Sequence, residues 1–121
     1  ARATSKWKIV IGHHPLYSAG KHGDSKDLIN LFKPIFKRRG VDFYLSGHDH
    51  SLQHLKVTNE QVEYLVSGAG SERTSLFAHS HDRFTRSVPG FIVMTLYADK
   101  AKFAFFNALG SVLYRHEIKK D

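Results

Sequence analysis

Two short apolar runs in this sequence end in the same way, with a glycine followed by a histidine. The Ile-Val-Ile run at residues 9–11 leads into Gly12-His13, and the run at residues 41–46 leads into Gly47-His48. Short apolar runs that end at a glycine are typical of buried strands. Parallel strands of an α/β sheet bring their carboxyl ends to one edge, where open sheets bind ligands. The sequence therefore predicts an α/β fold with a histidine site at that edge.

The segment between the two runs has the pattern of an amphipathic helix. Its apolar residues recur at helical spacing and form one face, which comprises Leu28, Leu31, Phe32, Ile35 and Phe36. We predict a helix between Ser25 and Arg39, capped by Asp24 or Ser25 at its start and by Gly40 at its end. Pro34 removes one backbone donor, so we expect it to kink the helix or to end it early. Strand, helix and strand together form a crossover unit.

The remainder of the chain has the pattern of antiparallel strands. Strands are predicted at residues 52–57, 62–67, 91–97, 102–106 and 112–118. Residues 58–61 join the first two as a hairpin, and the glycine-rich stretch at residues 67–71 is interpreted as a tight turn rather than a phosphate cradle. Residues 71–89 lack periodicity and predict a long loop of the kind that forms functional flaps, with His79 and His81 at its surface.

Composition limits the chemistry that is available. The 121 residues, enough for one domain or part of one, carry a net charge of +7 and contain no cysteine, which excludes disulfides and thiolate metal sites. A basic chain attracts anions such as phosphate esters, nucleic acid or acidic lipid, but these basic residues are spread out, which disfavours nucleic acid. No apolar run approaches the roughly 20 residues that span a bilayer, so we expect no membrane segment.

Histidines supply the strongest functional signal. His48 and His50 lie two residues apart, so in an extended segment both side chains point to one side, as a metal site requires. A lone His-x-His is more often a polar turn. The second cluster at His13, His14 and His22 follows the other strand end, and this coincidence favours a metal site.

The motifs resemble those of the calcineurin-like metallophosphoesterases, and more closely those of purple acid phosphatases of the small, tartrate-resistant type. They are the stretch from Gly12 to Ser18, then His22-Gly23, the stretch from Leu45 to His54, and Val66 to Gly70. The resemblance covers nearly the whole chain. It implies that residues 1–121 form the C-terminal portion of the domain, half of a four-layer αββα sandwich in which a βαβ unit precedes mostly antiparallel strands. The implied location is secreted, periplasmic or lysosomal.

The same resemblance implies a metal-dependent phosphate monoester hydrolase. Its cofactor would be a dinuclear metal centre that contains one iron ion and one divalent ion. The divalent ion would be Fe, Zn or Mn. His13 and His48 match ligands of the divalent ion, and His50 matches a ligand of the ferric ion. His22 matches a histidine that orients the phosphate ester substrate or passes a proton to its leaving group.

Several motifs of that family do not occur in this sequence. It contains no Gly-Asp-x-x-Tyr and no Gly-Asn-His, so the bridging carboxylate, the tyrosinate and the asparagine ligand would come from elsewhere. We therefore expect a partner, the N-terminal half of the domain, either covalently joined or as a separate chain. His14 has no matching role and is interpreted as a packing or substrate-rim residue, and His54 and His116 as structural or exposed.

Two other functions remain open from the sequence. The three histidines His13, His48 and His50 could hold a single zinc ion in a non-catalytic fragment, as three-histidine sites can. A basic module that binds anions or nucleic acid is the other alternative, and it would need aromatic residues on an exposed face rather than in strands. A serine hydrolase fits poorly because no Gly-x-Ser-x-Gly elbow is present.

Overall fold

The structure, a computed structural model, describes residues 5–71 and 73–120, which form one helix and eight strands. In chain order these elements are β1 (Ile9–Ile11), α1 (Lys26–Arg39), β2 (Phe43–Ser46), β3 (Leu52–Leu55), β4 (Glu63–Ser67), β5 (Asp82–Arg86), β6 (Gly90–Leu96), β7 (Lys100–Asn107) and β8 (Val112–Lys119). The predicted α/β class is therefore confirmed. The described part of the chain has no helix with the length and apolar character needed to cross a membrane.

The first sheet is mixed and has the strand order β1-β2-β4-β3-β5. β1 pairs in parallel with β2, and Ile11 lies opposite Leu45, so the predicted crossover unit is confirmed. The Gly12 N–H donates to the Leu45 carbonyl at 3.0 Å, and the Gly47 N–H donates to the His13 carbonyl at 3.0 Å. These two hydrogen bonds fasten both glycine–histidine turns to each other at the predicted edge.

Helix α1 begins and ends as its sequence predicts but is not interrupted. The Ser25 side chain accepts a hydrogen bond from the Leu28 N–H, and Gly40 closes the helix in the left-handed conformation at φ 65°. The expectation that Pro34 would end the helix early is wrong. Because proline has no backbone N–H, the carbonyl of Asn30 lacks its usual hydrogen-bond donor at Pro34. Both residues are exposed, so water can donate to that carbonyl instead. The buried Phe36 face then holds the last turn in place.

The second sheet is the antiparallel meander β6-β7-β8, which covers the other face of the mixed sheet. One core lies between α1 and the mixed sheet and includes Leu16, Phe36, Tyr44, Leu55 and Tyr64. The other lies between the two sheets and includes Phe43, Leu52, Leu65, Phe103 and Phe105. The layers are thus helix, mixed sheet and antiparallel sheet, which agrees with part of the αββα sandwich that was expected.

Strand β5 lies within residues 71–89, for which no regular structure was predicted. It pairs antiparallel with β3 and puts Arg86 opposite Leu52 at the border of the mixed sheet. Its sequence, Asp-Arg-Phe-Thr-Arg, has one apolar residue because most of its side chains are exposed. A border strand of this kind has no hydrophobic pattern, and its charges protect it from pairing with other chains.

A buried polar cluster joins the two sheets away from the histidine turns. His54 is 1% exposed, and its Nε2 lies 3.1 Å from Glu63 Oε1 while its Nδ1 lies 3.0 Å from the Tyr114 hydroxyl. Lys56 forms an ion pair with the other oxygen of Glu63. Burial raises the pKa of Glu63, but the hydrogen bonds from His54 and Lys56 outweigh it and leave the pKa below its usual value. His54 is therefore structural, as predicted.

Candidate metal centre

The loop between β2 and β3 carries the His-x-His pair in a tight conformation. His48 has φ 64°, which lies in the left-handed region that residues other than glycine rarely adopt. The Asp49 N–H donates to the Gly47 carbonyl at 2.7 Å, and the Ser51 N–H donates to the Asp49 carbonyl at 2.8 Å. Left-handed backbone of this kind destabilises a folded chain by about 1–3 kcal/mol and is concentrated at functional sites.

The rings of His13 and His48 meet across the two strand ends. His13 Nε2 lies 3.1 Å from His48 Nδ1. Two nitrogens that bind one zinc ion at 2.0–2.1 Å and at a tetrahedral angle would lie about 3.3 Å apart. The contact is also a hydrogen bond when one ring carries the shared proton. A metal ion would replace that proton, so the two nitrogens are spaced for joint ligation.

His48 is the centre of a larger cluster. Its ring centroid lies 4.3 Å from that of His14 and 4.8 Å from that of His22. Among the described residues, two groups have potential ligand atoms within 4.8 Å of one another: His13, His14 and His48, and His22, His48 and Asp49. These nitrogen and carboxylate donors suit a divalent transition metal.

The structure thus brings together only some of the histidines that the sequence singled out. His13 and His22 each lie close to His48, in separate groups. His50 belongs to neither group, and its backbone carbonyl accepts a hydrogen bond from the Thr74 N–H at 2.8 Å. His14 joins the cluster, although the sequence pattern assigned it no role. The signal available for it was its position directly after His13 in a bend, where strand alternation no longer separates neighbours.

The protonation state of His48 favours metal binding. Burial of the ring, followed by the neighbouring His14, holds the pKa of His48 below its usual value, although the Asp49 carboxylate opposes the shift. A lowered pKa keeps the imidazole neutral at neutral pH. Because a histidine must be neutral to act as a ligand, His48 is ready to bind without first losing a proton.

The buried Asp49 side chain anchors the loop between β2 and β3. Its carboxylate is 2% exposed and accepts a hydrogen bond from the Ser18 hydroxyl. The Ser18 oxygen in turn receives the Gly20 N–H at 2.9 Å and Gln53 Nε2 at 3.1 Å. The other carboxylate oxygen lies 4.0 Å from His22 Nε2. A buried network with its partners satisfied is rigid, so Asp49 holds the histidine loop in place.

The glycine-rich turn at residues 67–71 packs against the histidine loop. The Gly68 N–H donates to the Ser51 carbonyl at 3.1 Å. A Cβ atom at residue 68 would overlap the carbonyl oxygen of Asp49, which is backbone and cannot rotate away. Only glycine therefore allows the turn to lie this close to the loop, and the tight-turn interpretation agrees with this packing.

We expect Gly68→Ala to displace the histidine loop. The added methyl group should lower the free energy of unfolding by about 1–3 kcal/mol through overpacking, and it should weaken zinc binding because His48 moves with Asp49. The matched control is Gly70→Ala, since a Cβ there meets nothing within 4 Å. Thermal unfolding and zinc calorimetry on both variants check this. Equal behaviour of the two would contradict the packing argument.

A cavity of about 470 Å³ opens beside the cluster. His14, His22 and His48 line one side, and Asp24 and the start of α1 line the other. A cleft of this size accommodates a small ligand next to a metal. The histidine cluster therefore has an accessible face, as a catalytic site requires and a closed structural site does not.

The predicted flap is fastened beside this cavity, through Ala19 and through Asp24, which lines it. The Phe77 N–H donates to the Ala19 carbonyl at 2.7 Å, and His79 Nε2 lies 2.8 Å from the Asp24 carboxylate. His79 Nδ1 accepts the His81 N–H at 3.0 Å, which puts the proton of the His79 ring on Nε2, facing Asp24. Neither His79 nor His81 belongs to the two potential ligand groups of the described residues.

Comparison with known proteins gives a consistent result. A family model described as calcineurin-like phosphoesterase matches residues 1–52. Purple acid phosphatase 17 of Arabidopsis thaliana is 36% identical over 97% of this chain, and tartrate-resistant acid phosphatase type 5 of Oryctolagus cuniculus is 33% identical over 100% of it. The chain spans only 36% and 34% of the lengths of these two relatives.

A solved structure agrees closely with the fold. It is GAP50, the anchor in the inner membrane complex of Plasmodium, which superposes with a TM-score of 0.91 at 27% sequence identity. The match covers 99% of this chain and 38% of that protein. The expected resemblance to the purple acid phosphatases is therefore confirmed by sequence.

Proposed function

Because this chain belongs to the calcineurin-like phosphoesterases and is homologous to the purple acid phosphatases, we propose that it supplies part of a two-metal phosphate monoesterase site. The family implies a dinuclear metal centre, and we propose iron with a divalent ion, Fe, Zn or Mn. The observation that carries the proposal is the 3.1 Å approach of His13 Nε2 to His48 Nδ1 at the rim of an open cavity.

Each histidine has a distinct part in this proposal. His13 Nε2 and His48 Nδ1 would hold the divalent ion, and His50 would hold the iron. When bound, the two metals supply a hydroxide nucleophile and share the charge of the phosphate. The net charge of +7 helps to attract the anionic ester to the cavity.

His22 is the proposed catalytic side chain. It lines the cavity, and its Nε2 lies 4.0 Å from the buried Asp49 carboxylate, which can orient the ring. From that position the imidazole can hydrogen-bond the ester oxygen and give a proton to the leaving alkoxide. His22 lies beside His48 and not between the two strand ends. This position suits contact with the substrate.

The remaining ligands would come from the rest of the domain, covalent or separate. β1 lies at the border of the mixed sheet among the described strands, and Ile11 on it is 77% exposed. A groove of about 1050 Å³ runs beside it, between Ile9 and Val10 on one side and Phe32 and Ile35 of α1 on the other. A strand followed by a helix would pair with β1 and fill this groove.

A non-catalytic attachment role is the second candidate. It is favoured by the TM-score of 0.91 with GAP50, which is described as an anchor. The open border of β1 is a surface that such a role could use. A nucleic-acid module has less support, because Phe43, Phe103 and Phe105 are buried between the sheets. Phe77, Phe91 and Tyr97 are exposed, but the basic residues are spread along the chain rather than clustered.

Reconstitution tests the proposal. The 121-residue chain would be assayed with 4-nitrophenyl phosphate, iron and zinc, alone and after addition of the complementary N-terminal part of purple acid phosphatase 17. We expect almost no hydrolysis by the chain alone, because two cations without a bridging carboxylate repel each other, and restored turnover by the mixture. In the mixture, His22→Ala should slow turnover by about 10²–10⁴-fold with metal content unchanged, whereas His81→Ala should not.

Two results would contradict the proposal. Strong metal-dependent hydrolysis by the chain alone, with native mass spectrometry finding no second polypeptide, would show that it is not a partial site. A stable complex that binds both metals yet hydrolyses no phosphate monoester would favour the attachment role instead.

A further inference from the structure

We propose that His14 is a third nitrogen ligand beside His13 and His48, so that this chain holds one divalent ion of the zinc or cobalt type with three imidazoles. The inference rests on the proposed function, because it concerns the divalent position of that site. It differs from the ligand set that the family resemblance implies, in which His14 has no role.

The backbone bend after β1 makes the arrangement possible. Adjacent residues of a strand point to opposite faces. His13 and His14 instead follow the end of β1, and their ring centroids lie 4.7 Å apart at an interplanar angle of 89°. His14 also approaches His48, at 4.3 Å between centroids. Both consecutive imidazoles therefore face the same side chain across the strand ends.

The nitrogen positions are close to those of a ligand set. The ring nitrogens of His13, His14 and His48 that could act as ligands all lie within 4.8 Å of one another. Nitrogens on a tetrahedral ion would lie about 3.3 Å apart, so the longest of these separations has to shorten when the ion binds. The His14 ring is exposed, so its side chain has room to rotate toward the ion.

The backbone of His14 is held by a rigid element even though its ring is exposed. The Tyr44 hydroxyl donates to the His14 carbonyl at 2.7 Å, and Tyr44 is 4% exposed within the core on β2. A Cβ atom at residue 12 would overlap that hydroxyl, so Gly12 permits the close approach. The position from which the imidazole reaches the site is therefore fixed before any metal binds.

The donor set also suits the open face of the site. Three neutral imidazoles with a free fourth position form a known type of zinc site, in which water or substrate completes the sphere. His14 and His48 both line the cavity of about 470 Å³, which supplies that fourth position with access to solvent. His50 is not needed for this set.

Zinc binding by the 121-residue chain tests the inference without any activity measurement. Calorimetry would compare His14→Ala with His13→Ala, His48→Ala and His50→Ala, and His81→Ala would serve as the matched control. We expect His14→Ala to weaken zinc binding by about tenfold or more, and His50→Ala and His81→Ala to change it less than about threefold. Circular dichroism would confirm that each variant is folded.

A second measurement needs no variant. Long-range proton–nitrogen NMR spectra of the unmutated chain report which ring nitrogens bind, and one equivalent of zinc should shift nitrogens of His13, His14 and His48. If the His13 and His48 nitrogens shift and those of His14 do not, the inference is wrong and the proposed function stands. Absence of saturable zinc binding by the unmutated chain would overturn the inference, whereas the proposed function would still be decided by the reconstituted mixture.

Discussion

Replacing His48 by alanine is expected to weaken zinc binding by at least about a hundredfold. His48 belongs to both potential ligand groups, so this single change removes a donor from each. Loss of a partner that only orients a ligand already weakens metal affinity by about 10–100-fold, and loss of a direct ligand should exceed that. Calorimetry with zinc measures the effect, and the proposed ligand assignment fails if the variant binds like the unmutated chain.

A glycine at the same position separates metal binding from backbone strain. Since His48 has φ 64°, His48→Gly should raise the free energy of unfolding by about 1 kcal/mol while it weakens zinc binding as strongly as the alanine variant does. His48→Ala retains a Cβ and should not be stabilised in this way. Denaturant unfolding of both variants without metal checks the difference, and equal stabilities would show that the loop relaxes in another way.

Removal of Glu63 is expected to have the largest effect on stability. The Glu63→Ala variant should lose about 3 kcal/mol of unfolding free energy, because it leaves the buried His54 Nε2 without its partner and Lys56 without its counter-charge. Glu117→Ala, on an exposed side chain of β8, is the matched control and should change stability by less than about 0.5 kcal/mol. Urea unfolding of both proteins measures the difference.

The same carboxylate should make stability depend on pH. The pKa of Glu63 is lowered in the folded chain, so its charged form stabilises the fold above the unfolded pKa near 4.5. That contribution is lost as pH falls below 4.5 and through the lower folded value. Glu63→Gln should reduce the dependence of the unfolding free energy on pH over this range, as measured by urea unfolding at a series of pH values. If that dependence is unchanged, other groups cause the loss of stability in acid.

Much of the site could be predicted because strand ends have a clear pattern. The apolar runs before Gly12 and Gly47 predicted two neighbouring parallel strands, and the structure shows this pairing. The pairing brings His13 next to His48. The sequence grouped His14 with His13 and His22 but predicted no ligand role for it, since alternation along a strand directs it away and only the bend turns it back. The hydrogen-bond partners of His54 were also hidden, because they depend on the packing of one sheet on the other.

Other differences arise from tertiary context. Strand β5 has one apolar residue, Phe84, which packs on Phe105 and Tyr114, and the rest of the strand is held by its hydrogen bonds to β3. Pro34 has an unfavourable intrinsic propensity within a helix, but the Ser25 cap, the Gly40 cap and the buried Phe36 together outweigh one lost bond. Local propensity was therefore overridden where neighbouring elements supplied compensating contacts.

The position of β1 at the sheet border links the assembly of the sheet to the chemistry at its edge. A strand that pairs with β1 would lie about 4.8 Å away, and if parallel its carboxyl end would arrive next to Gly12 and His13. Any side chain that follows that end would then stand within reach of an ion on His13. Under the proposed function, hydrolysis would therefore require that the sheet be continuous across β1.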